Sequence, residues 1–598
     1  MTRAKFFRAL MIASVIAPAC LAQLGAPFVT SVVNAASYSN GGIAQGAIFT
    51  VLGYSLGPDQ LVEAEPFSLP FELAGTSIQI TAGAKTYDCP MVSTSYSEVS
   101  AILPSNTPLG DAMLTPSYQG VAASFFPTHI TVVASSFGIY STAGSGLGPG
   151  LIAGSDGTVK TFDQPANPGD VAIARGTGLG AVEGGDSSPP ANTVQFPKVE
   201  VFVGNSPATV VSAGRSQCCA GQDEVAFQVP DSPSGCFVPV AIRTGGTTVS
   251  NFVTLPVAAS GEPCTIPPPG LPAPVVSSAL AGEQLNVGIL AIGPVQFLEF
   301  FGFSFAQNAV DNLSALLHKP IDEADVKLLI QAYRARRART LQQILSKYGV
   351  RRKQIDRRLV RALRTAAGTN QQGAAAAFGT AGSLVDLTQQ FASSVASAGT
   401  CMVTRFSGRF PPQLSQSPQG RSLDAGATLT FNGPNGQNAM PGRSGVYQAL
   451  LGGGFQSATV PVGSYAISGT GGADVGPFTA ALSVDNTLIW TNKSAMSSVD
   501  RSMPLTLTWS GGPTGGFVLI GAAVRSDKTT VLMQCTAQSE QGSFTIPDFV
   551  LSALPAADAA SAYLSVGPHP FSSPMTIPGL DLVYFANLSV DYVAMEFR

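Results

Sequence analysis

Short runs of apolar or alternating residues, separated by Gly, Pro and Asn, recur along most of this chain. Runs of this length with this punctuation are typical of β-strands. Gly176, Gly178 and Gly180 follow one such run, and they predict a positive φ or a close backbone approach. The stretch from Pro165 to Ser250 therefore predicts a β-sandwich. Its predicted strands are Val171–Ala174, Val199–Val203, Val225–Val229 and Phe237–Ile242.

The same stretch has a twin nearer the N-terminus. From Gly41 the chain reads GGIAQGAIFTVLGYSLGPDQ, which matches QPANPGDVAIARGTGLGAVEG from Gln164. From Ser97 it reads SEVSAILPSNTPLG, which matches DEVAFQVPDSPSG from Asp223. A period of about 125 residues is too long for a solenoid repeat and suits tandem sandwiches. We predict Ig-like β-sandwiches at 25–135 and 136–262.

Residues 263–306 predict a Pro-rich linker and an apolar segment. The run from Leu285 to Phe305 has the length of a membrane span, about 20 residues. However, Asn286, Pro294 and Glu299 interrupt it. A buried core segment is the better interpretation.

A basic helical region is predicted at 307–399. Gly349 ends its first predicted helix. The small residues from Gly373 to Gly399 predict a partly helical segment. The apolar positions with helical spacing are Val326, Leu329, Ile330, Tyr333, Leu341, Ile344 and Leu345.

Residues 400–598 predict a C-terminal β-domain. Pro461 and Gly463 indicate an edge or bulged strand. Trp490 and Trp509 each end an apolar run, which favours core positions over ligand platforms. The predicted strands are Ala427–Phe431, Val460–Ile467, Phe478–Val484, Leu505–Trp509, Phe517–Ala523 and Val531–Cys535.

The composition points to an extracellular protein. Only 11% of residues are charged, and the net charge is -4, which argues against nucleic acid as a partner. Residues 1–22 combine a basic start with an apolar run and small residues, as in a secretory signal peptide. We expect secretion or an outer cell-surface location. Cleavage before Cys20 would instead leave a cysteine suited to lipidation, so a lipoprotein is the alternative.

Cysteines in such a protein are expected to be oxidised in pairs. Cys401 and Cys535 lie in the same predicted domain and are expected to form a bridge. The sequence leaves the pairing of the second module's four cysteines open, and Cys89 is left over. Those four are Cys218, Cys219, Cys236 and Cys264. No cysteine or histidine spacing indicates a zinc site, and we expect no cofactor.

Residues 318–364 hold 14 Lys or Arg against 4 Asp or Glu. This patch could bind an anionic partner such as an acidic polysaccharide or phospholipid headgroups. We favour the alternative, in which the charges are solvated faces of helices that dock onto acidic β-domains. The candidate residues are Arg334, Arg336, Arg337, Arg339, Arg351, Arg352, Lys353, Arg357 and Arg358.

Two motifs resemble catalytic or cofactor-binding signatures, but the residues around them do not predict the structural elements that those signatures require. Gly53-Tyr54-Ser55-Leu56-Gly57 matches a nucleophile elbow, but Pro58 follows and the twin has Gly178 in place of Ser55. The G-x-G-x-x-A pattern from Gly176 lacks the helix start that a dinucleotide site needs. A carboxylate pair for glycosidase chemistry remains open in the last domain. The aspartates concerned, mostly at predicted turns, are Asp424, Asp474, Asp485, Asp500 and Asp581.

Several motifs in fixed order carry a resemblance. VVNAASYSNGG, ILPSNTPLG, SSFGIYS, PANPGD, CCAGQDE and VSNFVTLPV resemble Solibacter-type secreted repeats, a family abundant in acidobacteria, over residues 25–262. The strand-G-x-G/S-L-G opening is similar to IPT/TIG domains of the immunoglobulin-like class. A second set, including LIWTNK and PLTLTWSGG, resembles a C-terminal β-domain of the same bacterial proteins. The resemblance implies an Ig-like fold outside the cell and brings no catalytic residues.

The sequence therefore predicts a mainly β protein with tandem Ig-like sandwiches, a helical insert and a C-terminal sandwich-like domain. We expect a non-enzymatic surface protein that functions in adhesion or binds an extracellular polysaccharide or surface protein. One alternative is an extracellular polysaccharide hydrolase with its site in the C-terminal domain. Another is a purely structural spacer. The oligomeric state stays open.

Overall fold

The computed structural model is mainly β with short helices, as the sequence pattern predicts, and divides into two compact units with the main boundary after Thr265. The predicted signal peptide lies outside the described residues. The structure describes residues 26–66, 68–123, 127–190, 196, 198–265, 271–295, 298, 313–314, 316–334, 337–350, 359–360, 363, 372–381, 397–407, 421–434, 436–451, 460–484, 488–525, 529–570 and 574–598.

The first sandwich has two sheets. Its strands are β1 (Phe28–Asn34), β2 (Ile43–Ala44), β3 (Ile48–Tyr54), β4 (Val62–Glu63), β5 (Thr76–Ala82), β6 (Lys85–Asp88), β7 (Met91–Thr94), β8 (Glu98–Ile102), β9 (Gly110–Tyr118), β10 (Val121–Ala122) and β11 (Thr128–Val133). The sheet orders are β1-β3-β8-β7-β4 and β2-β11-β9-β5-β6, with β10 paired to β9. Phe49 and Val51 from one sheet pack with Ile78 and Ile80 from the other in a common core.

The second sandwich repeats this topology. Its strands are β12 (Gly138–Ile139), β13 (Ile152–Gly154), β14 (Val171–Thr177), β15 (Val199–Val203), β16 (Ser206–Ala208), β17 (Val210–Arg215), β18 (Asp223–Gln228), β19 (Gly235–Thr244), β20 (Thr248–Val249) and β21 (Val253–Val257). One sheet has the order β12-β14-β18-β17 with β13 on β14, and the other β16-β15-β19-β20 with β21 on β19. Strands β14, β18 and β17 take the places of β3, β8 and β7, so the sequence duplication is also a structural one.

The second unit contains larger sheets. Its strands are β22 (Leu285–Pro294), β23 (Gln372–Ala381), β24 (Cys401–Ser407), β25 (Thr428–Gly433), β26 (Gly436–Arg443), β27 (Val446–Leu450), β28 (Gly463–Gly469), β29 (Phe478–Val484), β30 (Leu488–Trp490), β31 (Ser498–Val499), β32 (Leu505–Gly511), β33 (Phe517–Arg525), β34 (Thr529–Gln538), β35 (Ser543–Ile546), β36 (Ala562–Pro568), β37 (Leu582–Asn587), β38 (Asp591–Ala594) and β39 (Glu596–Phe597). The sheet orders are β29-β28-β25-β26-β27-β23-β22-β37, β24-β34-β33-β36-β38, β30-β32-β35 and β31-β39.

The helical prediction for the small-residue segment is wrong where the structure describes it. Strand β23, with the sequence QGAAAAFGTA, pairs with β22 along its whole length and with β27 on its other side. Ala374, Ala375 and Ala376 are fully buried. Alanine favours helices in isolation, but here it fits a strand covered on both faces, because larger side chains would not fit. Strands β22 and β23 thus lie in the same sheet as C-terminal strands.

Two further expectations in this unit need correction. Strand β28 begins at Gly463, after Pro461, and pairs with β25 and β29, so it is not an edge strand. The Pro-rich linker contains helix α1 (Ala273–Leu280), which starts after Pro272. Proline at a helix start is compatible with the helix, because its missing N–H would have no partner there. The two tryptophans are buried, as predicted, with 4% exposure each.

The basic region contains helices α2 (Glu323–Arg334) and α3 (Ala338–Lys347), and α4 (Asp548–Ser552) lies in the C-terminal part. Val326, Leu329, Ile344 and Leu345 pack in a small core of their own, which confirms the predicted helical stripe at these positions. Across the described residues, none of the helices combines the length and apolarity that a membrane span requires. The apolar segment from Leu285 is strand β22, buried along nearly all of its length.

Candidate functional site at the free end of the first sandwich

The structure pairs the cysteines that the sequence left open. Cys218 bridges its neighbour Cys219, Cys236 bridges Cys264, and Cys401 bridges Cys535. Cys89 is a free thiol in the core of the first sandwich, and burial raises its pKa. A buried thiol with a raised pKa is a weak nucleophile, so Cys89 is a core residue.

The predicted basic patch is described only in part. Arg337 and Arg339 are exposed at the start of α3, and Arg334 is the last residue of α2. Arg336, Arg351, Arg352, Lys353, Arg357 and Arg358 lie outside the described residues. Binding of an anionic partner by this patch therefore stays a prediction.

The elbow-like motif is a bend. Ser55 follows the last residue of β3 with a φ of 55° and no helix follows over residues 56–61. His129 lies on the other sheet, where it pairs with Met113 and contacts Asp111 at 3.2 Å. A nucleophile elbow needs a helix after the serine and a histidine beside it, so Ser55 lacks that context.

The glycine motif of the second sandwich does bind an anion, but the anion is a side chain of the protein itself. Gly178 and Leu179 donate their backbone N–H groups to Asp223 Oδ2 at 2.7 and 2.8 Å. Arg215 Nε donates to Asp223 Oδ1 at 2.6 Å, and both side chains are buried. Burial raises the pKa of Asp223, while Arg215 and the two N–H groups oppose that shift. Consecutive N–H groups of this kind form an anion-binding concavity.

This glycine end of the second sandwich is docked onto the first sandwich at a contact we call the joint. Asn34 Nδ2 donates to the carbonyl oxygens of Ser136 and Thr177 at 3.2 and 3.1 Å. Ser105 donates to Asp186 through both its backbone N–H and its hydroxyl, at 2.8 and 2.6 Å. The joint thus uses the ends of β1, β3 and β8 that lie near Asn34, Ile48 and Ser105.

The opposite end of the first sandwich is free of the second one. Strand β3 runs from Ile48 at the joint to Tyr54, a distance of about 20 Å at the usual rise of a strand. Phe28 pairs directly with Tyr54 across β1 and β3, which places both side chains on the same face. Tyr96 lies in the neighbouring β7–β8 turn, where its carbonyl accepts the N–H of Leu56. We call Phe28, Tyr54 and Tyr96 the aromatic end.

All three rings are accessible, with exposures of 45% for Phe28, 58% for Tyr54 and 45% for Tyr96. Adjacent strands lie about 4.8 Å apart, so the aromatic end presents three rings across roughly two strand spacings. Paired strand backbones fix the positions of Phe28 and Tyr54, and the hydrogen bond from Leu56 N–H to the Tyr96 carbonyl holds the turn beside them. Exposed aromatic side chains on a rigid support are typical of ligand-binding surfaces.

The duplication shows how this end differs from its twin. Tyr54 and Thr177 are both the last residue of equivalent seven-residue strands. In the first sandwich Thr94 pairs with Val99, and Tyr96 lies two residues after Thr94. In the second sandwich Ala213 pairs with the equivalent Val225, and Arg215 lies two residues after Ala213. Where the second sandwich has a hydroxyl and a buried cation that build the joint, the first has exposed aromatic rings.

The first sandwich as a whole is acidic. Residues 28–133 contain seven acidic residues and one lysine, a net charge of -6. Glu98, on β8, accepts a hydrogen bond from the Tyr38 hydroxyl at 3.2 Å, and burial raises the pKa of Tyr38 to about 12. Such a surface disfavours anionic ligands and is compatible with neutral ones.

The sequence reasoning missed this site. A sequence signal for the site was present in the alignment of the two copies, where Tyr54 is aligned with Thr177. An apolar or aromatic residue at the end of a strand predicts core on pattern alone. Only the direction in which the two copies dock shows which strand end remains accessible.

The candidate carboxylates of the last domain bind nearby backbone or arginine groups. Asp424 accepts the N–H groups of Gly426 and Ala473 at 2.9 and 3.1 Å. Asp474 accepts from the N–H of Asp424 and from Arg421, which lower its pKa.

The other carboxylates follow the same pattern. Asp500 accepts the N–H of Ser502, and Asp581 accepts that of Asn286. The contacts of Asp424 with Gly426 and of Asp500 with Ser502 are those of turn-forming aspartates, whereas Asp581 binds Asn286 across 295 positions of the sequence. Asp485 lies outside the described residues.

Comparisons with known proteins assign the chain to no family. No family model matches the chain, and no curated protein matches its sequence. Among solved structures, the chain is similar to a Bacteroides ovatus mixed-linkage glucan utilization protein, SGBP-B, with 13% identity, a TM-score of 0.19, and coverage of 45% of this chain and 59% of that one. It is similar to domains 5-6 of the S-layer protein SbsC, with 11% identity, a TM-score of 0.16, and coverage of 39% and 99%.

A third similar structure is invasin, a bacterial integrin-binding protein, with 10% identity, a TM-score of 0.13, and coverage of 94% of this chain and 79% of that one. A gamma-CGTase from alkalophilic Bacillus clarkii aligns over only 25% of its length, with 9% identity and a TM-score of 0.15. The chain thus spans a quarter of that enzyme and 59% of the glucan utilization protein. The similarity to Solibacter-type repeats stays a prediction.

Proposed function

We propose that this protein is a secreted or cell-surface binding protein without enzymatic activity, and that its ligand is a neutral extracellular polysaccharide. The observation that carries the proposal is the aromatic end, where Phe28, Tyr54 and Tyr96 are exposed on adjacent elements of one rigid sheet. The apolar C–H face of a sugar ring packs against an aromatic ring, and a row of rings suits a chain of sugars. The three disulfides support an oxidising, extracellular setting.

The twin comparison supports a ligand rather than another sandwich at this end. In the joint, the side chains of Asn34, Thr177 and Ser105 satisfy backbone and carboxylate groups of the facing sandwich. The aromatic end lacks the Thr177 hydroxyl and the Arg215 cation at the equivalent positions. The equivalents of the Thr177 and Arg215 contacts are therefore absent from this end.

The net negative charge of the first sandwich disfavours anionic polysaccharides as ligands. A net charge of -6 over the first sandwich repels uronic-acid or sulfated polymers at low salt. Hydroxyl groups next to the rings, from Ser55 and Ser97, can bond sugar hydroxyls. We therefore infer an uncharged glycan.

The hydrolase alternative has less support. One depression in the described part of the chain, beside β23, is lined by Thr380, Arg421, Ser422 and Ser444 together with apolar residues, and its described lining contains no carboxylate. Glycosidase chemistry needs two carboxylates across a cleft.

Affinity gel electrophoresis of the full mature chain in cellulose derivatives, mixed-linkage β-glucan and starch tests the proposal. We expect retardation by at least one neutral polymer, and a loss of about tenfold or more in affinity for Tyr54→Ala with Tyr96→Ala. Tyr54→Phe should retain binding, because the ring remains.

The matched control is Leu109→Ala, which removes an equally exposed apolar side chain (59%) elsewhere on the same sandwich. Unchanged affinity of the double tyrosine variant, or no retardation of the parent by any of the polymers, would overturn the proposal.

A further inference from the structure

The turn between β17 and β18 carries an insertion that the first sandwich lacks. In the first sandwich, three residues, Ser95 to Ser97, join β7 to β8. In the second sandwich, Arg215 is the equivalent of Tyr96 and Asp223 is the equivalent of Ser97. Arg215 and Asp223 pair across strands β17 and β18, and seven residues lie between them in the sequence. We call residues 216–222 the inserted loop.

The inserted loop is closed by the bridge between the adjacent residues Cys218 and Cys219. The N–H of Ser216 donates to the carbonyl of Gln222, and the N–H of Gln222 to that of Cys219. The Ser216 hydroxyl accepts the N–H of Cys218 at 3.3 Å. A bridge between neighbouring residues closes a small ring, so it restricts the backbone of both residues at the tip of the loop.

The other side of the loop enters the joint. Ala220 is buried against Ile48 and Ile102 of the first sandwich. Gly221, at a φ of 71°, is so close that an added Cβ would lie 2.7 Å from Ile48 Cγ1. Its carbonyl accepts a 2.7 Å hydrogen bond from Thr177 Oγ1, which in turn accepts the N–H of Ile48. The loop that carries the bridge is thus a structural part of the joint.

We propose that Cys218 is a thiol-exchange site and that its bridge to Cys219 controls how tightly the two sandwiches are joined. Cys218 is exposed, whereas Cys264 is half-buried and Cys236, Cys401 and Cys535 have exposures of 3%, 0% and 0%. Exchange needs access of a thiolate to one sulfur, so a reductant reaches Cys218 first.

The reductant is a dithiol. One of its thiolates attacks Cys218 Sγ, the bond between the two protein sulfurs breaks, and Cys219 leaves as a thiolate. The second thiolate of the reductant attacks the mixed disulfide at the reductant's sulfur and releases Cys218. The dithiol loses two electrons and becomes a disulfide, and the two cysteine thiolates take up protons from water. The freed loop then holds Ala220 and Gly221 against Ile48 less firmly.

Hydrogen exchange on the full mature chain tests this. A limiting amount of a dithiol should reduce the Cys218–Cys219 bridge while the other two bridges stay intact, as seen by differential alkylation and mass spectrometry. In that state we expect peptides containing Ile48 and Gly178 to exchange about tenfold faster. Peptides from β5, in the core of the first sandwich and away from the joint, should be unchanged.

The variant Cys218→Ser with Cys219→Ser should show the same acceleration without reductant. If that variant does not fold, reduction of the parent chain alone decides. Equal exchange at Ile48 in the oxidised and reduced parent would overturn the proposal. So would a Cys218–Cys219 bridge that is reduced only together with the other two bridges.

Discussion

The hydroxyl of Thr177, in the second sandwich, accepts a 2.8 Å hydrogen bond from the backbone N–H of Ile48, in the first. The same hydroxyl donates to the carbonyl of Gly221 at 2.7 Å. One buried side chain thereby connects strand β14, the inserted loop and strand β3. The equivalent residue of the first sandwich is Tyr54, which is exposed. The residue at this repeat position is therefore buried in the contact between the sandwiches in the second copy and exposed to solvent in the first.

Thr177→Val should weaken the joint. Valine has the same shape, but it leaves the buried N–H of Ile48 without its partner, which costs about 1–3 kcal/mol. Urea denaturation followed by circular dichroism measures the effect. The matched control is Thr30→Val, because the Thr30 hydroxyl bonds the Leu52 carbonyl at an exposed position. Equal destabilisation by both variants would contradict the role assigned to Thr177.

Asp223→Asn should be more damaging. Arg215 would remain buried without a negative partner, and breaking a buried ion pair on one side costs about 3–5 kcal/mol. Glu224→Gln is the control, because its pair with Arg175 is longer, at 3.8 Å, and partly exposed, so the expected loss is below about 1 kcal/mol. The same denaturation experiment compares them. A loss for Asp223→Asn no larger than that for Glu224→Gln would show that the ion pair does not stabilise the joint.

Gly221→Ala separates close packing from backbone strain. Any alanine at positive φ costs about 1–2 kcal/mol, and Gly245→Ala, at a φ of 61° with open space around it, should show that cost alone. Gly221→Ala also meets Ile48 and Ile102, which adds about 1–3 kcal/mol of overpacking. Thermal unfolding should give a clearly lower Tm for Gly221→Ala. Equal Tm values would mean that the loop moves away freely.

Ala376→Leu tests the alanine-rich strand. Ala376 is fully buried between neighbouring strands, so the larger side chain should cost about 1–3 kcal/mol through overpacking. Ala481→Leu is the matched change at an exposed position of β29, where we expect less than about 0.5 kcal/mol. Tryptophan fluorescence can follow unfolding of this unit, since both tryptophans lie in it. If Ala376→Leu leaves the protein as stable as the parent, strand β23 is loosely packed.

Removal of the bridge between Cys401 and Cys535 should destabilise the second unit. The two residues are 134 positions apart, so chain-entropy considerations give about 5 kcal/mol. The bridge between Cys236 and Cys264 spans 28 positions and should contribute about 3.6 kcal/mol to the first unit by the same relation. Paired Cys→Ala variants and denaturant titrations compare the two. A larger loss for the shorter loop would point to packing rather than loop closure as the cause.

Features that depend on local pattern could be predicted from the sequence. Alternation and punctuation located strands such as Val199–Val203 and Phe478–Val484 with the bounds that the structure shows. The matching motifs established the duplication, because two copies with the same order of apolar positions fold to the same topology. The spacing of Val326, Leu329, Ile344 and Leu345 was also sufficient to predict helices, and the structure shows that these residues share one core.

Tertiary structure alone decided the state of β23 and the accessibility of the repeat ends. Four successive alanines carry no period, and only neighbours on both sides of a sheet make a strand of them. Tyr54 and Thr177 occupy the same repeat position, and the sequence around each does not indicate whether the end of β3 or the end of β14 is covered by the other sandwich. Accessibility is a property of what packs against a residue, and the partners across the joint lie about 130 residues away in the sequence, beyond the reach of any local pattern.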